Sequence, residues 1–299
     1  MAKPIVKWAG GKTRLLPELL QRIPKDVRTY AEPFAGGAAL FFALAPGLDS
    51  GVRKVRRAVL ADQNEELIAC YRAVKDDVDA VIAALGAYRY DKELFYETRD
   101  RDTSKMSDVE RAARLLFLNR TCFNGLWRVN SSGRFNVPFG RYKNPRILDE
   151  ARLRTASVAL ARTKLVLGDF AQATRALGAD DFVYFDPPYA PVSKTAAFTT
   201  YARGGFDHDD QLRLVAEVRR LRERGALAML SNADTPETRA LYADFAVHVV
   251  YVARPINSDV TKRGDAREII VTSWGKKGVY EAAATNRPRA RIARAASVR

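Results

Sequence analysis

The chain has 299 residues and carries 50 Lys and Arg against 35 Asp and Glu, a formal net charge of +15. That excess favours a polyanionic partner, nucleic acid above all, and no apolar run is long enough to span a bilayer, which argues against a membrane protein. Its cysteines, Cys70 and Cys122, and its histidines, His208 and His248, stand at no metal-ligand spacing, so a metal-free protein of a reducing compartment is expected, with no histidine base.

Charge returns by Lys7 after Lys3, unlike a signal peptide, and a cytoplasmic, nucleoid-associated protein is expected. Lys7-Trp8-Ala9-Gly10-Gly11-Lys12-Thr13 ends like a phosphate loop, but Val6 stands five positions before Gly11, where that loop needs glycine. Only Pro4-Ile5-Val6 precedes it as a candidate strand. A P-loop-like NTPase is therefore a second reading, with residues 182–186 as its acid-bearing strand. Trp8 also reads as a core residue.

Thr29-Tyr30-Ala31-Glu32-Pro33-Phe34-Ala35-Gly36-Gly37 reads as a strand and a tight glycine turn, with an apolar helix over 38–45. The glycines let a ligand approach the backbone, but the full dinucleotide fingerprint is missing. A second strand, 58–61, ends in Asp62, 26 residues beyond Gly36, where a carboxylate can grip a ribose. Asp62 also reads as a helix cap before Glu65 and Glu66.

From 63 to 160 the chain turns helical and polar, with apolar residues at helical spacing through Leu67, Ile68, Tyr71 and Val74 and again through Leu115, Leu116 and Leu118. Ser107-Asp108-Val109-Glu110 reads as a capping box. The segment interrupts a strand-helix alternation and reads as an inserted domain. Between Arg111 and Arg146 lie eight Lys or Arg and no acid. Within it, Leu126-Trp127-Arg128-Val129 and Arg134-Phe135-Asn136-Val137 flank Asn130-Ser131-Ser132-Gly133 as a hairpin that can offer Arg128 to a base edge in a DNA groove. Composition alone leaves a solvated charged face as an equal reading.

The alternation resumes at Lys164-Leu165-Val166-Leu167-Gly168-Asp169-Phe170 and leads to Phe182-Val183-Tyr184-Phe185-Asp186-Pro187-Pro188-Tyr189. Aromatic and β-branched residues make the latter a buried strand, and the prolines must end it, so Asp186 and Tyr189 sit just past the C-terminal edge of a sheet. Such an edge is where open α/β sheets bind ligands. Asp186 and the Pro187 carbonyl can accept the two N–H groups of an exocyclic amine while Tyr189 stacks on its ring. Beyond it, Asp207 reads as the cap of a helix with Leu212, Val215 and Leu221 on one side. A strand over 226–230 leads to Ser231-Asn232, Thr235-Pro236 starts a helix, and strands over 245–252 and 268–273 complete the sheet. The tail after Glu281 has five arginines and no acid, and reads as a disordered, weak DNA tether.

The Asp-Pro-Pro-Tyr motif resembles that of amino-group DNA methyltransferases. From Lys7 to about Trp274 the chain resembles the Dam-type (D12 class) N6-adenine enzymes, with several motifs in the family's order. The resemblance implies an α/β fold: a Rossmann-like S-adenosylmethionine-dependent methyltransferase sheet (1–62 and 161–280) with an inserted, mainly helical target-recognition domain (63–160) that carries the hairpin. It implies S-adenosyl-L-methionine as cofactor, with Trp8, Lys12, Glu32, Phe34, Gly36, Gly37, Asp62, Asp169, Phe170 and Asp186 around it. Asp62 would meet the ribose hydroxyls, Asp169 the adenine amine and Phe170 the adenine ring. Asp186, Pro187, Pro188 and Tyr189 would be catalytic. Ala38 departs from the pattern, standing where many methyltransferases have a last glycine; a slightly tighter pocket is expected. On double-stranded DNA, Leu126, Arg128 and Pro138 match readers of the outer pairs of GATC. Phe123 matches an inserting aromatic and Asn124 the residue that meets the displaced partner base. Lys7, Arg120, Asn136, Arg141, Tyr142 and Lys143 complete the DNA-binding set. Residues 193–201 resemble a loop that closes over the base, hinged at Gly204-Gly205, and Lys262, Arg263 and Arg267 suit phosphate contact.

The reading is thus a site-specific DNA adenine N6-methyltransferase that flips its target base and transfers the methyl directly, with GATC as target. Its rivals are the NTPase, a non-catalytic sequence-specific DNA-binding protein, and methylation of another amine such as cytosine N4. A monomeric or weakly self-associating protein is expected, with a cognate restriction endonuclease as a candidate partner.

Overall fold

The computed structural model describes residues 2–44, 54–189, 206–252 and 266–281. Its strands are β1 (Asp26–Glu32), β2 (Lys54–Asp62), β3 (Thr163–Leu167), β4 (Asp181–Phe185), β5 (Leu227–Ala233), β6 (Ala246–Val252), β7 (Ala266–Thr272) and β8 (Gly278–Glu281). They form one sheet in the order β3-β2-β1-β4-β5-β7-β6-β8. The first five pair in parallel, β7 runs antiparallel between β5 and β6, and β8 pairs in parallel with β6 at the edge. Winding reverses between β1 and β4, which creates the crevice at the C-terminal strand ends.

β4 is buried at every position, as a strand covered on both faces must be. Its residues alternate between two cores. Phe182 and Tyr184 join a cluster with Phe41, Phe42, Tyr71 and Phe117, while Val183 and Phe185 join Leu214, Val218, Leu230 and Ile269 on the other face. The first cluster includes residues of α1 (Leu16–Arg22) and α2 (Ala39–Leu44) and continues into α3 (Glu65–Asp76), α4 (Val78–Gly86), α5 (Lys92–Asp100), α6 (Asp108–Thr121) and α7 (Glu150–Leu160), the last five within 63–160. The inserted segment therefore shares an apolar core with the sheet.

Local signals place the helix starts. The Ser107–Glu110 box opens α6, Asp207 with Asp210 caps the helix His208–Glu223, and Thr235 caps Pro236–Leu241. Three local expectations are corrected. Asn64, not Asp62, caps α3, accepting the Leu67 N–H at 3.0 Å. Pro4-Ile5-Val6 is not a strand. Leu212 is 47% exposed, because the buried stripe runs through Leu214, Val218 and Leu221, and a residue two places before Leu214 is turned about 200° away from it.

The hairpin is present in a reduced form. Val129–Phe135 and Cys122–Phe139 are isolated antiparallel bridges. Asn130 N–H donates to the Arg134 carbonyl at 2.9 Å and Asn136 N–H to the Arg128 carbonyl at 3.1 Å. The Asn130 side chain accepts from the Ser132 and Arg134 N–H groups, and Gly133 takes φ +77° to close the turn. Residues 193–201, Gly204, Gly205, Lys262, Arg263 and the tail after Glu281 lie outside the described residues.

Candidate active site

Pairing of Phe185 with Leu230 puts Asp186 beside Ser231. The Ser231 hydroxyl donates to Asp186 Oδ1 at 3.1 Å, and the Lys12 ammonium donates to the same oxygen at 2.7 Å. Because Ser231 donates its proton to Asp186, the Tyr184 hydroxyl 2.9 Å away is the donor in that pair. Oδ1 is thus saturated. Among the described residues, no donor reaches Asp186 Oδ2 or the Pro187 carbonyl. Tyr189 donates its hydroxyl to Glu268 Oε2 at 2.7 Å, and the Lys12 ammonium lies 4.6 Å from the centre of its ring.

Burial raises the affinity of the Asp186 carboxyl for a proton, while Lys12 and Ser231 oppose that and favour the carboxylate. Nearby, Glu32 is 2% exposed and accepts the Tyr30 hydroxyl at 2.8 Å and the Phe41 N–H at 3.2 Å. Burial pushes its carboxyl up to about 8, so Glu32 is largely neutral at pH 7.

The turn after β1 is built around Trp8. A Cβ on Gly36 would stand 2.7 Å from Trp8 Cδ1, and one on Gly37 3.3 Å from Trp8 Cβ. Gly36 has φ +45° and Ala38 φ +50°, so Ala38 sits in the left-handed region that glycine occupies freely. Asp62 Oδ2 accepts the Gly36 N–H at 2.9 Å and Oδ1 the Asn64 N–H at 2.9 Å. Phe34 stacks on Phe170 at 5.5 Å between centroids, and Phe206 packs edge-on against Phe34. Asp169 caps the short helix Phe170–Thr174 and pairs with Arg213 at 3.0 Å.

The structure brings together every residue expected at the cofactor, from Trp8 to Asp186, and with them Pro187, Pro188 and Tyr189, along one cavity of about 1030 Å³. Its aromatic wall, glycine turn and acidic groups fit the adenosine, ribose and sulfonium of S-adenosylmethionine. Ser231, Tyr184, Glu268 and Phe206 were not singled out from the sequence. Ser231 occupies the same strand-end position as Asp186, which was a usable signal. Glu268 had none, since its place depends on the register of an antiparallel strand.

Of the residues expected at DNA, Lys7 lines this cavity and the others do not. Phe123 and Leu126 are 51% and 39% exposed, and Asn124 has φ +56° in a one-turn helix, Phe123–Gly125. The Pro138 carbonyl accepts the Phe123 N–H at 2.9 Å. Arg128 Nε donates to Asn136 Oδ1 at 2.8 Å across the hairpin, and Arg141 and Lys143 are exposed. The Tyr142 hydroxyl donates to the Cys122 carbonyl at 2.9 Å, and the Lys7 ammonium lies 5.5 Å from the Tyr142 ring centre. Arg120 donates to the Ile5 carbonyl at 2.9 Å, and burial lowers its pKa. Arg267 is committed to Asp234 and Glu281, at 2.9 and 3.1 Å.

The cavity and these residues meet along the N-terminal segment. Asn119 accepts the Lys7 N–H and donates to the Lys7 carbonyl, each at 2.8 Å, and Trp8 stacks on Trp127 at 6.1 Å. No strand leads into Gly10-Gly11 and Lys12 is turned onto Asp186, so the NTPase reading fails on geometry.

A doubly wound sheet with this cavity and an Asp-Pro-Pro-Tyr acceptor set defines an S-adenosylmethionine-dependent methyltransferase. The family model of the D12 class N6 adenine-specific DNA methyltransferases matches residues 8–256, and the chain belongs to that family. It is 43% identical over 281 residues to the type II methyltransferase M1.LlaDCHI of Lactococcus lactis subsp. cremoris, spanning 91% of this chain and 96% of the relative. Identity is 40% over 297 residues to the type II methyltransferase M.MjaIII of Methanocaldococcus jannaschii, spanning 93% and 97%. With the DNA adenine methylase of Escherichia coli K12 it is 34% over 272 residues, spanning 90% and 94%. The protein is an adenine-specific DNA methyltransferase, and S-adenosylmethionine is its methyl donor.

Proposed function

We propose that the protein methylates adenine N6 within GATC in duplex DNA, with the base turned out of the helix. The observation that carries this reading is that Asp186 and Pro187, whose Oδ2 and carbonyl meet no donor among the described residues, line the cavity together with Tyr189. The two acceptors suit the two protons of an exocyclic amine, and an adenine paired inside a duplex cannot reach them. Extrusion costs a few kcal/mol, and stacking on Tyr189 with two hydrogen bonds offsets it.

In the cavity, Asp62 serves the ribose hydroxyls, Phe34 and Phe170 the adenine ring, and Lys12 and Trp8 the amino-acid end. The cofactor supplies an electrophilic methyl group on sulfur. Asp186 and Pro187 orient the amine so that its lone pair points away from the ring plane. Asp186 need not be a strong base, because the nitrogen releases a proton readily once it is cationic.

Residues 63–160 serve as the target-recognition unit. Arg128, Leu126 and Pro138 read the outer base pairs, Phe123 enters the stack and Asn124 meets the orphaned base. Lys7, Arg141, Tyr142 and Lys143 contact phosphates. The exposed Phe123 and the Arg128–Asn136 pair support this assignment. With DNA as substrate the place of action is the cytoplasm, and a cognate restriction endonuclease is a candidate partner.

Asp186→Ala tests the reading. It should reduce methyl transfer by about 10³-fold or more while DNA binding and cofactor binding persist. Transfer at the parent rate would remove Asp186 from the chemistry.

A further inference from the structure

We propose that Glu268 is a positioning residue of the methyl-transfer site: by accepting the Tyr189 hydroxyl proton it sets the plane of the ring on which the target base stacks. The claim rests on the stacking role proposed above for Tyr189.

The sheet explains how a residue 79 positions away reaches this ring. β7 runs antiparallel to β5, pairing Ile270 with Ser231 and Glu268 with Ala233. The start of β7 therefore returns to the edge where β4 and β5 end, so Asp186 is held by β5 through Ser231 and Tyr189 by β7 through Glu268. One strand orients the acceptor and its neighbour the stacking surface.

The hydroxyl is the point from which a tyrosine ring is best controlled. It lies at the far end of the side chain, so a hydrogen bond there restricts rotation about both torsions. Glu268 accepts at 2.7 Å, a length typical of a charge-assisted bond.

Among the described residues, Glu268 has no side-chain hydrogen-bond partner other than Tyr189. Its neighbour Arg267 is spent on Asp234 and Glu281, and no cation pairs with Glu268 among the described residues. Its charge also acts on Asp186, a like-charge neighbour that adds to the burial effect on that carboxyl. Among the described residues, the Tyr189 hydroxyl is the hydrogen-bond partner of this half-buried carboxylate, which lies close to a second carboxylate.

The test compares Glu268→Ala, Glu268→Gln, Tyr189→Phe, Tyr189→Ala and the Glu268→Ala/Tyr189→Phe double variant in single-turnover methyl transfer, with thermal melting as a check on folding. Glu268→Ala should slow transfer about 10-fold with cofactor affinity unchanged. Glu268→Gln, whose amide oxygen still accepts, should recover to within about 3-fold of the parent. Tyr189→Phe should match Glu268→Ala, and the double variant should be no slower than either alone, since both remove one bond. With 2-aminopurine at the target adenine, Glu268→Ala should leave the extruded base brighter, because a base not stacked on the ring is less quenched.

Parent-like transfer in Glu268→Ala, with Tyr189→Ala inactive, would overturn the role of Glu268 and leave that of Tyr189 intact. Parent-like transfer in Tyr189→Ala would overturn the stacking reading itself. Equal losses in Glu268→Gln and Glu268→Ala would show that charge, not the hydrogen bond, matters, and would overturn the proposal.

Discussion

The Lys12 ammonium donates to Asp186 Oδ1 at 2.7 Å, which ties the N-terminal segment to the acid at the end of β4. The pair is mostly buried, with side-chain exposures of 10% and 19%, so Lys12 matters to the ionisation of Asp186 more than a surface ion pair would. As a carboxylate Asp186 offers the amine acceptors only, whereas protonation would place a competing O–H donor there. Burial already raises its proton affinity, and Lys12 opposes that rise.

Lys12→Met should therefore move the acid limb of the single-turnover pH–rate profile to higher pH. Transfer should fall more at the acid end of the profile than at its alkaline end, with partial recovery as pH increases. An acid limb at the parent position would show that Lys12 does not govern the ionisation of Asp186.

Glu32 makes a second pH-dependent contribution, to stability. Its carboxyl is raised from 4.5 to about 8 in the folded protein, chiefly by burial. Between those values the native state holds a proton that the unfolded chain has released, so stability falls as pH rises. This contribution is complete below pH 4.5 and is lost as pH passes through about 8. Urea unfolding at pH 5.5 and 8.5 should show the parent weaker at the higher pH and Glu32→Gln with a much smaller difference. Equal slopes in the two proteins would mean that Glu32 is ionised in the fold.

Gly140 separates recognition from cofactor binding. A Cβ there would meet the Tyr142 ring and stand 2.7 Å from the Cys122 carbonyl oxygen. Neither can yield easily, because Tyr142 donates to that carbonyl and Gly140 N–H is fixed to the Thr121 carbonyl at 2.8 Å. Gly140→Ala should cost about 1–3 kcal/mol in stability and weaken DNA binding more than cofactor binding. Gly133→Ala is the control: at φ +77° with no atom within 4 Å, it should cost only about 1–2 kcal/mol of backbone strain. Isothermal titration with cofactor and with duplex distinguishes the effects; equal losses of both affinities would contradict the separation.

What the sequence made legible was encoded locally. The aromatic run before Pro187, the glycines after Phe34 and the Ser107, Asp207 and Thr235 caps each need only a few adjacent residues to be recognised, and each is in place. The residues that escaped depend on distant partners. Glu268 reaches Tyr189 through the β5–β7 register, and β8 exists because β6 offers it an edge. Asp62 illustrates the boundary between the two. Its strand-end position was visible, but the cap two residues on went to Asn64 because Asp62 is engaged by the Gly36 N–H.

The most direct test of the account is transfer of labelled methyl from S-adenosylmethionine to two duplexes that differ only in GATC against GTAC, followed by nucleoside analysis. Label on adenine N6 of the GATC duplex alone is the predicted result. Label on both duplexes would contradict the recognition assigned to Leu126, Arg128 and Pro138, and label on neither, with tight DNA binding, would contradict the catalytic site centred on Asp186.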